Sequence, residues 1–385
     1  MKRRKLLLYG ALGSASFLIN NHSLLSANMS SKKNYEWIII YWMPYDNDLS
    51  RFGKPIMKML AKGVQTDNIL VVVQSDFLAA KQLTRNIITP GTITSENLNT
   101  SNSANEEVFA EYLNWAKSQF QAKKWGIIFL GHGGVVDEIS PDNHPEPGVS
   151  ETRWMKIKNL SEIIVEFNKA VDRRVELVFF QNCNKGTIET HYTFRDTAKY
   201  TLSSQLLLGA PNYYYESLFN YLGRHPDIGG AQMAEKIMEF EREDMFHSYT
   251  ITSNQAIHNL PAKLNPLIDS IISSDWQDIK MNQIKTYSYF GNSYADIIQF
   301  FDKVSQASGA DRQKYQIFSD YLKKSLIHRV RQKGTLLGRD IKPDDNFCGL
   351  GIFLPKNKQE FEKYRDLPIY SEVKLRELFE SFMWK

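Results

Sequence analysis

Two cysteines in 385 residues cannot build a disulfide framework or a cysteine-rich zinc site. Charge of one sign is equally scarce. The net charge is +4 and no dense basic block lies beyond the N-terminus, so nothing argues for a nucleic-acid partner. The longest leading apolar run, Leu6–Ile19, is shorter than the ~18 residues of a membrane span. No internal repeat is present. With 42% hydrophobic and 23% charged residues, the composition is that of a globular protein large enough for one big domain with an addition, or for two domains.

The N-terminus reads as a targeting segment. Lys2-Arg3-Arg4-Lys5 precedes the apolar run, and a polar stretch then reaches Ser26-Ala27, so residues 1–27 are expected to be a signal peptide. The Arg-Arg-x-Leu-Leu order is similar to a twin-arginine export signal. The expectation is an exported protein, periplasmic or extracellular, with no stable membrane span after cleavage. A retained anchor is the alternative.

Strands are predicted at Trp37–Met43, Ile69–Ser75, the run ending at Leu130, and Val175–Phe180, with amphipathic helices over Glu106–Lys123 and Asn159–Val171 between them. Alternating strands and helices predict an α/β fold, a mostly parallel sheet covered on both faces. Residues 35–226 are expected to form this core. Residues 227–385 are expected to be a mainly helical appendage that returns one strand, 349–355, to the core. Pro90-Gly91 predicts a hairpin, Asp137–Lys158 an exposed loop and His191 a surface position; Asp46 and Asp48 invite a metal reading, but the expectation is a cap of the following helix.

The chain is organised around Val175–Thr187, VELVFFQNCNKGT. Five of the six residues Val175–Phe180 are apolar, as in a strand buried on both faces, and Cys183 follows at the carboxyl end where open α/β sheets place ligands. Gly126–Gly134, GIIFLGHGG, has the same form and ends in His132 and two glycines, with His132 and Cys183 51 residues apart. If the strands are parallel neighbours, an imidazole and a thiol meet at one sheet edge. A thiol is only a few per cent ionised near neutrality, so a nearby imidazole activates it. The amides of Gly133 and Cys183 could form an oxyanion hole. The implied reaction is acyl transfer, and it needs no metal.

These stretches resemble the clostripain-type (C11) cysteine peptidases of the caspase, gingipain and legumain group. The similar segments are YWMPYDNDLS (Tyr41–Ser50), CNKGTIET (Cys183–Thr190), SSQLLLGAPNYYYESLF (Ser203–Phe219) and CGLGIFLP (Cys348–Pro355). The resemblance implies a caspase-like three-layer α/β/α sandwich, His132 as general base and Cys183 as nucleophile. It also implies Gln181, Ser204 and Tyr213 near a peptide or protein substrate, and a monomer. No cofactor is required; calcium is implied by the resemblance alone, and no EF-hand loop is present.

Two positions depart from the family's pattern. Gln181 stands where an acidic residue commonly faces a basic P1 side chain, which leaves Arg/Lys at P1 as a lean only. Asn184-Lys185 stands where apolar residues are usual. Self-processing at Arg153, Lys156 or Lys158 is a further expectation of the family. The readings carried forward are an exported cysteine endopeptidase, a transpeptidase or asparaginyl-type peptidase on the same fold, and a catalytically weak peptide-binding protein.

Overall fold

The computed structural model describes residues 33–146, 148–149, 151–274, 284–334 and 347–384; the expected signal peptide lies outside them. The strands are Asn34–Tyr45 (β1), Ile69–Phe77 (β2), Thr84–Thr89 (β3), Thr92–Asn97 (β4), Gln121–Leu130 (β5), Glu138–Asp142 (β6), Arg153–Lys156 (β7), Val175–Gln181 (β8), Tyr200–Ser204 (β9), His247–Ser253 (β10), Thr286–Tyr289 (β11), Asn292–Asp296 (β12), Ile327–Lys333 (β13) and Gly351–Leu354 (β14).

Nine of them form one sheet in the order β13-β10-β9-β8-β5-β1-β2-β3-β4. The five central strands, β9, β8, β5, β1 and β2, run parallel, and antiparallel pairs close both edges. Apolar residues on both faces of β1 explain its central place. Ile38, Ile40 and Trp42 belong to one core cluster, and Trp37, Ile39, Tyr41 and Met43 to the other. The first face is covered by helices Glu106–Gln119 and Ile157–Ala170 through Phe109, Tyr112, Leu160 and Ile164. The second is covered by helices Ser50–Gly63, Tyr215–Arg224 and Gly230–Phe240 through Ile56, Leu60, Leu218 and Ile237. The result is a three-layer α/β/α sandwich.

The C-terminal part differs from its expectation. It is no appendage: β10 and β13 extend the main sheet, and Leu264, Phe300, Phe301 and Leu378 share one core cluster with Phe129 and Phe180. The expected returning strand, β14, pairs with β12 in a separate three-stranded sheet. In β10, HSYTITS, only Tyr249 and Ile251 are apolar core residues, so its strand signal is weak.

Three local expectations are also corrected. Asp137–Lys158 contains the hairpin β6–β7, and its Ile139 and Met155 are core residues. Neither Asp46 nor Asp48 caps the helix Ser50–Gly63, which begins without a side-chain cap. His191 is buried, its ring nitrogens 2.6 Å from Thr252 Oγ1 and 2.6 Å from Ser203 Oγ. Its short helix is wholly buried, and the C-terminal chain covers it: Phe353 N–H donates to Glu189 and Tyr192 donates to Glu372.

Candidate active site

β5 and β8 are adjacent and parallel, with Leu130 paired to Gln181. His132 and Cys183 therefore leave the same sheet edge, each two residues past its strand's last residue. Gly131 has φ +119°, a conformation open to glycine, and turns the chain out of β5. Gly133 packs directly on the Cys183 backbone, since a Cβ there would lie 2.1 Å from the carbonyl oxygen of Cys183. An antiparallel bridge joins Gly133 to Ile139 through Ser140 N–H to the carbonyl of His132 and Gly134 N–H to the carbonyl of Glu138. That pattern leaves the amide of Gly133 outside the ladder.

Cys183 is half-buried, and its Sγ lies 3.3 Å from the backbone nitrogen of Leu208. Burial pushes the thiol up from its ordinary pKa; the Leu208 amide, the Tyr289 hydroxyl and the charge of Lys185 oppose this. The resting residue is thus a thiol that needs a base. His132 Nε2 lies 2.8 Å from Asp48 Oδ1. A carboxylate accepts, so Nε2 carries the proton and Nδ1 is the basic nitrogen.

Beside the pair is a cavity of about 130 Å³ lined by Tyr45, Leu49, Gly131, His132, Gln181, Cys183, Leu208, Gly209, Ala210 and Asn212, none of them acidic. Gln181 is held at both ends of its amide: Tyr214 donates to Oε1 at 2.7 Å and Nε2 donates to Tyr215 at 2.7 Å. The cavity thus unites His132, Gln181 and Cys183. Ser204 and Tyr213 do not line it. Ser204 is buried, its Oγ accepting from Ser248 N–H at 3.1 Å, and the ring of Tyr213 lies 4.3 Å from the guanidinium of Arg242. The chain turns after Ser204, so Leu208, Ala210 and Asn212 line the cavity in their place.

Sequence reasoning did not find Asp48 or Tyr289 as parts of the site. The signal for Asp48 was an acidic residue just past β1, the parallel neighbour of β5. Tyr289 donates to the carbonyl of Gly133 at 2.8 Å from a hairpin far along the chain, for which the sequence carries no local signal. The sequence as a whole matches the clostripain family over residues 41–382. The chain belongs to that family of cysteine peptidases.

Among the relatives of this clostripain-family chain is clostripain of Hathewaya histolytica, 23% identical over 322 residues. That match covers 69% of this chain and 59% of the relative, so the chain spans less than two thirds of its length. A secreted C11 cysteine protease from Bacteroides thetaiotaomicron, solved with an irreversible peptide inhibitor, superposes with a TM-score of 0.67 at 18% identity, over 89% of this chain and 99% of that one. An inactive zymogen C11 protease from Parabacteroides distasonis superposes with a TM-score of 0.68 at 16% identity, over the same shares. Both have the fold found here.

A second cluster lies nearby. Asp46, Asp76 and Asp142 are buried and bring carboxylate oxygens within 4.8 Å of one another, with Ser103 Oγ 2.9 Å from Asp76 and 3.1 Å from Asp142. Burial and the charges of Asp142 and Asp46 push Asp76 up to about 8. An all-oxygen carboxylate set of this kind fits calcium. His144 Nδ1 lies 2.8 Å from Asp46. The expected self-processing positions are structured: Arg153 and Lys156 lie in β7, and Lys158 lies in the helix that follows.

Proposed function

We propose that this chain is an exported cysteine endopeptidase. The observation that supports this most is the packing of the His132–Gly133 turn against the Cys183 turn at the carboxyl ends of adjacent parallel strands. His132 Nδ1 takes the thiol proton as Sγ adds to the peptide carbonyl, and the carbonyl π pair moves to oxygen. The amides of Gly133 and Cys183 stabilise that oxyanion, an arrangement worth roughly 3–4 kcal/mol per donor. Collapse breaks the C–N bond, the imidazolium protonates the departing amine, and water, deprotonated by His132, hydrolyses the thioester.

The P1 residue in this reading is uncharged, not Arg or Lys. The cavity beside the thiol has no acidic wall, and the Gln181 amide is committed to Tyr214 and Tyr215. Burying a P1 cation there would leave its charge unpaired. The chemistry needs no metal. Calcium, if part of the holoprotein, would be held by Asp46, Asp76 and Asp142, where it supplies charge neutralisation for three buried carboxylates. Export rests on the composition of residues 1–27; among the described residues no helix is long and apolar enough to cross a membrane.

The test is protein lacking residues 1–27, wild type and Cys183→Ala, assayed on a fluorogenic peptide library varied at P1. Cleavage lost in the variant and concentrated on uncharged P1 residues supports the reading. Cleavage confined to Arg and Lys would overturn the P1 assignment. No cleavage, with no labelling of Cys183 by an electrophilic peptide, would leave a binding protein.

A further inference from the structure

The chain from Gly131 to Val136 carries the base and the proposed oxyanion amide, and its six successive carbonyls are all held by side chains. Asn182 Nδ2 donates to the carbonyl of Gly131 at 2.9 Å and to that of His132 at 3.2 Å. Tyr289 holds the carbonyl of Gly133. Lys185 Nζ donates to the carbonyl of Val135 at 2.7 Å, with those of Gly134 and Val136 at 3.5 and 3.4 Å. The two residues nearest the nucleophile in this set, Asn182 and Lys185, are both fully buried.

Each contact has a direct geometric consequence. In a trans peptide the N–H points opposite to the carbonyl of the same plane. The carbonyl of His132, held by Asn182 Nδ2 and also by the Ser140 N–H at 2.9 Å, therefore fixes the direction of the Gly133 N–H. Fixing the next four carbonyls keeps the turn from rotating that plane away. A buried ammonium is an expensive way to hold a turn, because desolvation disfavours its charge and here lowers Lys185 to about 7. The titratable groups around it are Asp137 just before β6, Glu138 at its start, Lys156 on β7 and the thiol of Cys183.

We propose that Asn182 and Lys185, the side chains flanking the nucleophile, are positioning residues that aim the Gly133 amide at the oxygen of the substrate carbonyl. The inference rests on the acyl-transfer reading above. It separates two roles that a group beside a thiol can have. A residue that tunes the thiol changes every reaction of Cys183. One that aims the oxyanion donor changes only reactions that develop an oxyanion.

The experiment compares Asn182→Ala and Lys185→Met with wild type in two assays. The first is kcat and KM on the best peptide substrate from the library. The second is the rate of Cys183 alkylation by iodoacetamide, a displacement at an sp3 carbon that forms no oxyanion, measured across pH. The expected result is a kcat about 10- to 100-fold lower in both variants, with KM within about 3-fold of wild type; alkylation stays within about 2-fold across pH for Asn182→Ala, and for Lys185→Met, which also removes a charge that lowers the thiol's pKa, in the high-pH plateau where the thiol is ionised. Alkylation falling in parallel with kcat would overturn the inference, as would unchanged kcat. Asn182→Ala removes no charge, so it decides the matter if Lys185→Met does not fold. Wild-type protein that turns over no peptide would remove the acyl-transfer reading itself, and this inference with it.

Discussion

The carboxylate of Asp48 lies 2.8 Å from Nε2 of His132, across a gap of 84 residues in the chain. This contact selects the tautomer with its basic nitrogen at Nδ1. Both partners are solvent-accessible, His132 to 34% and Asp48 to 69% of the side chain, so the role argued for this contact is to orient the ring. Asp48→Ala is expected to lower kcat by roughly 10- to 100-fold, a fraction of what a general base supplies, with KM little changed. Unchanged kcat in steady-state assays would show that the ring is oriented by other contacts.

Gln181 sits between two tyrosine hydroxyls at the wall of the cavity beside the thiol. Gln181→Asp removes the donor to Tyr215 and places a carboxylate where a basic P1 side chain could pair with it. The ratio of kcat/KM for Lys over Leu at P1 is expected to rise at least about tenfold, the equivalent of about 1.4 kcal/mol. The same change is expected to destabilise the fold by about 1–3 kcal/mol, read by urea unfolding, because it leaves a buried group short of a partner. A P1 profile identical to wild type would separate Gln181 from specificity.

Lys185 predicts a pH dependence of stability. The unfolded chain keeps this proton up to about the ordinary lysine value near 10.5, whereas the buried ammonium loses it at about 7. Between those values unfolding takes up a proton, so stability contributed by this group rises with pH. Wild type is expected to gain on Lys185→Met by up to about 1.4 kcal/mol per pH unit across that window. Parallel stability curves for the two proteins between pH 7.5 and 9.5 (about three to one below the lysine value) would contradict this burial.

The Asp46, Asp76 and Asp142 cluster predicts a response to calcium. Binding to the folded state alone stabilises by about 2.7 kcal/mol at a concentration 100 times the dissociation constant. Millimolar calcium is expected to raise the Tm of wild type and not that of Asp142→Asn, and chelation is expected to reverse it. A Tm indifferent to calcium would leave burial of Asp76 to be met by protonation, since its carboxyl is pushed up to about 8.

The parallel core and the positions of His132 and Cys183 were legible because they are local. An apolar run buried on both faces needs no partner to be recognised, and a residue just past its end lies at the sheet edge. The hairpin at Pro90-Gly91 was legible for the same reason, as β3 and β4 show. What failed was the reading of polar segments buried by distant chain. β10 is rich in Ser and Thr, β6 and β7 are short and carry charged residues, and only their neighbours make them strands. His191 belongs to a helix that looks free until the C-terminal chain covers it.

The sequence by itself determined that His132 and Cys183 stand just past two apolar strands, that a glycine follows the histidine, and that no carboxylate stands two residues before the Cys. Each depends on residue type at a short spacing. Only the tertiary structure decided that Asp48 meets His132 and caps no helix, that tyrosines hold Gln181, and that Lys185 is buried with its Nζ against three carbonyls. These are contacts between elements far apart in the chain. Their partners are chosen by which strands lie side by side, and no local propensity carries that information.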